Sequence, residues 1–421
     1  MKTIEWKRSG IALFAILLAV GAISCSGSAN SQNPKPEIRN SQITQPREVQ
    51  PVNPKIVEAN TRFGFKLFSE ILKKEGKENV FVSPSSVAIA LSMAYNGANG
   101  ETKTSMAKAL EFQGMTLEEI NQAHRNLKSA LEKADPKVQL SIANSIWARQ
   151  GVDFNPSFLD RNAKFYDAKV RSLDFEQPEA VTEINGWVKE STNGKIAKIV
   201  DRINPNDVMF LMNAIYFKGK WTNEFNKGNT ETRPFTLFNG SKKQVPLMKQ
   251  QGKYRYLETS QFQAISLPYG DERLSMYVFL PKTNLATFQK TLTAQNWQTW
   301  IKQFSTREGQ IQLPRFKMEY DVELKEALSA LGMGIAFEDA ADFSGLSTGT
   351  TKIDHVKHKT FVEVNEEGTE AAAVTSIGIV PTSIQIPQEP FKMIVDRPFF
   401  SAIRDNQTGE ILFMGSIVNP E

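Results

Sequence analysis

Glu-Val-Asn-Glu-Glu-Gly-Thr-Glu-Ala-Ala-Ala-Val-Thr-Ser-Ile-Gly-Ile-Val-Pro-Thr-Ser, residues 363–383, is the stretch on which the reading of this chain turns. It opens as a strand, with Val362 and Val364 alternating with polar neighbours. The acidic pair Glu366 and Glu367, followed by Gly368, breaks that run, as at the end of a strand. Residues 369–380 then hold no Pro, Lys, Arg or aromatic residue and a single charge, Glu370. A surface loop normally carries more polarity. With the period of a strand, one face would show Thr369, Ala371, Ala373, Thr375, Ile377 and Ile379, all uncharged and small at the start. The other face carries the carboxylate together with Ala372, Val374, Ser376, Gly378 and Val380. The first face could enter a sheet at little desolvation cost. From these residues alone, a permanent small-residue strand and an Ala-rich helical turn stay open as well.

Working outward, the chain has 421 residues, 40% of them hydrophobic, enough for a well-formed core. A net charge of +4, with 50 basic and 46 acidic residues, is too mild to argue for nucleic acid, and no Lys/Arg stripe interleaves with aromatics. At the N-terminus, Lys2, Lys7 and Arg8 precede an apolar run over 11–23, long enough for a signal-peptide core and short for a membrane span. The single cysteine, Cys25, follows Ala22-Ile23-Ser24, a placement that resembles a bacterial lipoprotein signal with a lipidated cysteine. Ala22 stands where Leu is more usual, so ordinary cleavage near 24–28 is the alternative. The expected organisation is a signal peptide at 1–24, a Ser/Asn/Gln/Pro-rich tether at 25–55 and one mixed domain at 56–421. An acylated N-terminus would hold the protein at a membrane surface. With one cysteine no internal disulfide can form, and stability must come from packing.

The folded part is expected to open with a helix marked by Leu67, Phe68, Ile71 and Leu72 and stopped at Gly76. A short strand at 79–82 precedes Ser83-Pro84, a helix cap with proline in the first turn. The next helix is small or apolar nearly all round, which predicts burial at the centre of a domain; Ser83 and Ser86 then need partners from backbone or an adjacent strand. Ile184, Trp187 and Val188 mark a further helix closed by Asn193-Gly194. The run 208–217 is apolar except for Asn213, as in a strand covered on both faces, and Trp221 anchors its end. Strands are also expected at 274–280 and 411–418, and a helix through Leu324, Ala327, Leu328 and Leu331 ended by Gly332.

In order and at matching spacing, Asn-Val-Phe-Val-Ser-Pro-Ser-Ser (79–86), Asn-Ala-Ile-Tyr-Phe-Lys-Gly-Lys-Trp (213–221), Leu-Pro-Arg-Phe-Lys (313–317), Leu331-Gly332, residues 358–368, the Ala run at 371–373, Asp-Arg-Pro-Phe (396–399) and Leu-Phe-Met-Gly (412–415) resemble the serpin family. The resemblance covers residue 56 to the end. It implies an α+β fold of three β-sheets and about nine helices, with an exposed reactive-centre loop that serves as bait for a protease. After cleavage and acyl-enzyme formation, the loop's first part would insert into the largest sheet and carry the covalently held protease with it.

Residue by residue, Glu366 matches the family's hinge glutamate, Gly368 and Thr369 begin the hinge, and Ala371, Ala372 and Ala373 match its inhibitory pattern. The reactive bond falls at Thr382–Ser383, with 380–381 or 384–385 as alternatives because the return to Arg397 is long and contains Pro387 and Pro390. Ser83, Ser86, Asn213 and His358 correspond to the polar cluster beneath the opening of the sheet, and Trp221 to the tryptophan where insertion starts. Between Glu366 and Phe391 there is no Lys, Arg, aromatic, Leu or Met, so a trypsin-like pocket has nothing to hold. A shallow apolar pocket, elastase-like or subtilisin-like, fits better.

Enzyme readings are weaker. Ser105-Met-Ala-Lys108 matches a Ser-x-x-Lys hydrolase motif without its companion motifs. His355 and His358 would lie on opposite faces of a strand with no cysteine to join them, so no metal site and no cofactor is expected. His124, among Gln and Arg, reads as solvated. The alternative within the family is a non-inhibitory member acting as carrier or chaperone. The expected partner is a target protease, met by a monomer.

Overall fold

The computed structural model describes residues 51–368 and 389–420. Among these residues there are nine α-helices: α1 (Pro54–Glu75), α2 (Pro84–Tyr95), α3 (Gly100–Ala109), α4 (Leu117–Glu132), α5 (Pro156–Tyr166), α6 (Glu179–Ser191), α7 (Leu285–Gln289), α8 (Ala294–Gln303) and α9 (Lys325–Leu328). The strands are β1 (Val80–Val82), β2 (Val138–Arg149), β3 (Lys169–Leu173), β4 (Met209–Gly219), β5 (Glu231–Thr236), β6 (Lys242–Glu258), β7 (Phe262–Tyr269), β8 (Leu274–Pro281), β9 (Ser305–Pro314), β10 (Phe316–Glu323), β11 (His355–Val364), β12 (Phe391–Ile394), β13 (Phe399–Asp405) and β14 (Ile411–Ile417).

Five strands form one sheet in the order β10-β11-β4-β2-β3. The others run β1-β14-β13-β8-β7-β6-β9-β12, with β5 also on β6. By strand pairing there are two sheets among the described residues and not the expected three, because β6 pairs with β5 and β9 along most of its length and with β7 at its end.

Local chemistry explains the elements that position the site. Asn53 caps α1 by accepting from Lys55 N at 3.0 Å, with proline following it, so the helix begins two residues inside the stretch read as tether. Ser83 caps α2, and every residue of α2 is buried, as its uniformly small and apolar composition predicts. Strand β4 is buried on both faces. Leu211, Ile215 and Phe217 belong to the main core with α2, whereas Phe210, Met212, Ala214 and Tyr216 pack with Ile184 and Val188 of α6. A strand sandwiched this way tolerates almost no polar residue, which is why Asn213 stands out. The helix expected through Leu331 is shorter: α9 ends at Leu328, the chain widens into a π turn over Ser329–Met333, and Gly332 adopts φ 98°.

Candidate strand-acceptor site

At the middle of the five-stranded sheet, β11 and β4 run parallel in register from His355 opposite Phe210 to Phe361 opposite Tyr216. Parallel pairing is the slightly less stable kind, and here it occupies the centre of a sheet whose other neighbours of β4 and β11 are antiparallel. Beyond Val364 the chain folds back on itself. Asn365 N donates to Gly368 O at 2.9 Å and Gly368 N to Asn365 O at 3.2 Å. Gly368 also forms an antiparallel bridge with Lys220, just past the end of β4. It therefore lies in one row between the continuations of the two central strands, already paired antiparallel to both. Its φ is +129°, and a Cβ there would meet Gly219 O and lie 2.6 Å from Lys220 Cα, so only glycine fits.

Trp221 clamps this turn. Its indole N–H donates to Asn365 O at 2.9 Å, its backbone N–H to Glu367 O at 3.0 Å, and its ring stacks on Tyr269 with centroids 4.3 Å apart. Phe225 N adds a bond to Glu366 O at 2.8 Å. The Glu366 carboxylate is 1% exposed and accepts from Arg315 Nε at 2.7 Å and from the Thr230 hydroxyl at 2.5 Å. Burial alone would raise its pKa, but the hydrogen bonds from Arg315 and Thr230 outweigh burial and hold it below the usual carboxylate value. Glu367, also buried, pairs with Lys227 through one oxygen, while Oε2 has no partner among the described residues. The residues themselves marked this pair as a strand breaker, and the family resemblance marked Glu366 as the hinge glutamate. The burial of the pair depends on Arg315, Thr230 and Lys227 arriving from distant segments, which no local pattern signals.

Below the turn, the predicted cluster is assembled. His358 Nε2 accepts from Ser83 N at 3.0 Å, so the ring proton is assigned to Nδ1, which donates to Asn213 Oδ1 at 2.5 Å. Asn213 Nδ2 in turn donates to Ser86 Oγ and to Asn144 Oδ1, the latter at 2.7 Å. Burial pushes the His358 pKa down to about 3 and keeps the ring neutral. Asn144 was not anticipated; it lies directly across from Asn213 on β2, so three adjacent strands contribute one polar row. Two adjacent polar residues, Asn144 and Ser145, at buried positions of β2 were the available signal. Thr360 joins the same face, its hydroxyl bonded to Phe81 O at 2.6 Å.

His124 corrects the sequence reading. It is buried, with its ring between those of Phe112 and Tyr166, and burial pushes its pKa down to about 3. Ile120, His124, Leu127 and Leu131 follow the helical spacing of the inward face of α4, so position on the face outweighed the polar neighbours. His355 and His358 do lie on opposite faces, and among the described residues no group of three His, Cys, Asp or Glu could hold a metal. The Ser105 hydroxyl donates to Thr102 O at 3.0 Å while Lys108 is exposed, an arrangement unlike an activated nucleophile. Cys25, Thr369, Ala371, Ala372, Ala373, Thr382 and Ser383 lie outside the described residues.

The family model described as Serpin (serine protease inhibitor) matches residues 58–420. The bovine (Bos taurus) leukocyte elastase inhibitor is 37% identical over 377 residues, covering 86% of this chain and 98% of its own length. Bovine serpin B8 is 38% identical over 380 residues, covering 87% and 99%. Among solved structures, the thermophilic serpin tengpin in its native state superposes with a TM-score of 0.79 at 35% identity, covering 88% of this chain and 95% of its own.

Proposed function

Because the chain belongs to the serpin family, a family of inhibitors and not of catalysts, we propose that it traps its protease as a suicide substrate, by inserting residues 369–380 between β4 and β11. The observation that carries this reading is the row Lys220, Gly368, Asn365, in which the strand next in sequence has its first residue paired on both sides. Seven residues down β4 from Lys220 is Asn213, and seven down β11 from Asn365 is His358. Seven residues on from Gly368 is Thr375, and ten on is Gly378, opposite Phe210 and His355. Since paired residues share a face, Thr369, Ala371, Ala373 and Thr375 would face α2, as their size and lack of charge suit.

Insertion exchanges a parallel pair for two antiparallel ones. A strand of about a dozen residues, at roughly 0.5–1.5 kcal/mol net per hydrogen bond, releases on the order of 10 kcal/mol, comparable with the stability of a whole domain. We assign the reactive bond to Thr382–Ser383, the hinge to Glu366, Gly368, Thr369 and Ala371 to Ala373, and the target class to elastase-like or subtilisin-like proteases. The lack of basic, aromatic, Leu or Met side chains between Glu366 and Phe391 supports that class, and one relative is named for leukocyte elastase. We further assign an exported protein anchored through a lipidated Cys25, on the basis of the leader-like N-terminus; the mass of the mature N-terminal peptide tests this. The mechanism is tested by incubation with an elastase-like or subtilisin-like protease and denaturing electrophoresis. A denaturation-resistant adduct with a new C-terminal fragment is expected, and clean cleavage with the protease still active would overturn the reading in favour of a non-inhibitory member.

A further inference from the structure

At the foot of the same strand pair, far from the hinge, sits a second histidine that the proposed mechanism does not use. His355 begins β11, stacked on Phe210 of β4 with ring centroids 4.8 Å apart. Its Nδ1 lies 3.1 Å from Glu323 Oε2, at the end of β10, and its Nε2 lies 3.5 Å from Asp207 Oδ2, in the approach to β4. Both carboxylates are independently fixed. Glu323 Oε1 accepts from Val356 N at 2.8 Å, and Asp207 Oδ2 accepts from Asn204 N at 3.1 Å. One ring therefore joins β10, β11 and the segment leading into β4, hydrogen-bonded to a carboxylate at one nitrogen and within ion-pair distance of a second carboxylate at the other. A neutral imidazole can donate to one of the two only; an imidazolium donates to both.

We propose that His355 is a proton-operated clasp between the feet of β11 and β4, so that acidification resists parting of the two strands and alkaline conditions release it. The other charged groups facing the ring are Asp321 from β10, Asp201 and Arg202 from the segment before β4, and Lys357 from β11 itself. Asp354 is bonded to Val208 N and Met209 N beside it, and Lys352 acts on Asp354 and Asp207 from outside. Carboxylates outnumber the cations, and the hydrogen bond to Glu323 raises the His355 pKa above its ordinary value, against burial. With a raised folded-state pKa, the contribution is complete below about pH 6.5 and is lost as pH rises through the folded value. Opening of the pair by one strand would add about 4.8 Å between β4 and β11, which breaks the bond to Asp207 and leaves that to Glu323.

The test is amide hydrogen exchange on the full-length uncleaved protein at pH 5.5 and 8.5, corrected for intrinsic exchange, in the native chain and in Asp207→Asn. Protection of the β4 and β11 amides is read relative to β13 and β14, because the buried His124 and His358 alter global stability over the same range. In the native protein, relative protection is expected to fall roughly 2- to 5-fold at the higher pH, the scale of one partly exposed ion pair. In Asp207→Asn the ratio should not change with pH, while the His355 ring resonance still titrates above its usual value through Glu323. A flat ratio in the native protein, or the same pH dependence in both, overturns the clasp. No protease enters this measurement, so its outcome is separate from that of the inhibition assay.

Discussion

Thr375→Val is the substitution that most directly tests the register of strand insertion. In the uncleaved protein the Asn213 amide oxygen and the His358 Nδ1–H satisfy each other at 2.5 Å, both essentially excluded from solvent. A strand between them raises the separation of β4 and β11 from about 4.8 to about 9.6 Å, so that bond cannot survive. A threonine hydroxyl in the same row can donate to the amide oxygen and accept from the imidazole; valine, of nearly the same shape, can do neither. Each buried group left unsatisfied costs about 1–3 kcal/mol, so the inserted form should lose about 2–6 kcal/mol of the roughly 10 kcal/mol that insertion releases. The assay is thermal unfolding before and after loop cleavage, together with the number of inhibitor molecules consumed per protease inactivated. The uncleaved Tm should not change, while the gain on cleavage should shrink by about 3–8 °C, at about 1.3 °C per kcal/mol for a domain of this length, and more inhibitor should be consumed as substrate. Thr375→Ser should behave as the native chain, and Ser376→Val, on the opposite face, should matter little. A Thr375→Val variant with the full gain, or a Ser376→Val variant with the larger loss, refutes the register.

Asn213→Ala removes four hydrogen-bonding contacts from one buried amide, leaving Ser86, Asn144 and His358 short of partners, and should destabilise the uncleaved protein by about 3–6 kcal/mol in urea unfolding; a change under 1 kcal/mol would sink the account of the cluster. Glu366→Gln should narrow the stability gap to the native chain only in acid: with a depressed folded pKa, the contribution of Glu366 is present above about pH 4.5 and lost as pH falls through the folded value, which Tm measured from pH 7 to 3 will reveal. His358 and His124, held neutral with pKa values of about 3, should each remove about 1.4 kcal/mol of stability per pH unit below about 6.5, because the unfolded chain takes up protons that the folded one refuses; His124→Gln should flatten that slope by half. Thr369→Arg, which would place a charge first into the sheet, should convert inhibitor to substrate, and undiminished trapping of protease would contradict the inward-facing assignment.

Much of the fold was legible because its central elements are extreme. A helix with no polar face and a strand interrupted by one Asn announce double-sided burial, and β4 and α2 are placed accordingly. The polar cluster was legible through the serpin resemblance, which groups Ser83, Ser86, Asn213 and His358, and the structure joins Ser83 to His358 and Ser86 and His358 to Asn213 by hydrogen bonds. What remained hidden is chemistry made by register. Asn144 acquires its role only from standing across from Asn213, and Arg315 only from the buried Glu366 that it neutralises. His124 was misread because Gln122 and Arg125 close by are polar, whereas Ile120 and Leu127, which share its face of α4, are apolar and buried. The joining of strands into one sheet through β6 was likewise invisible, since a strand's partners are not written in its own residues.

The turn that returns Gly368 between the ends of β4 and β11 also bears on time. Once an acyl-enzyme has formed, ordinary turnover would resolve it in milliseconds to a second, given typical kcat values of about 1–10³ s⁻¹. Forming a hairpin from an open chain takes about 1–10 μs, much of it a search for the correct alignment. Here the alignment at Gly368 is already in place, with one rung closed on each side. On the proposed mechanism, the race with hydrolysis would be decided by how quickly two strands part and not by how quickly a third finds its place, so substitutions that loosen the β4–β11 seam should speed capture even as they weaken the resting protein.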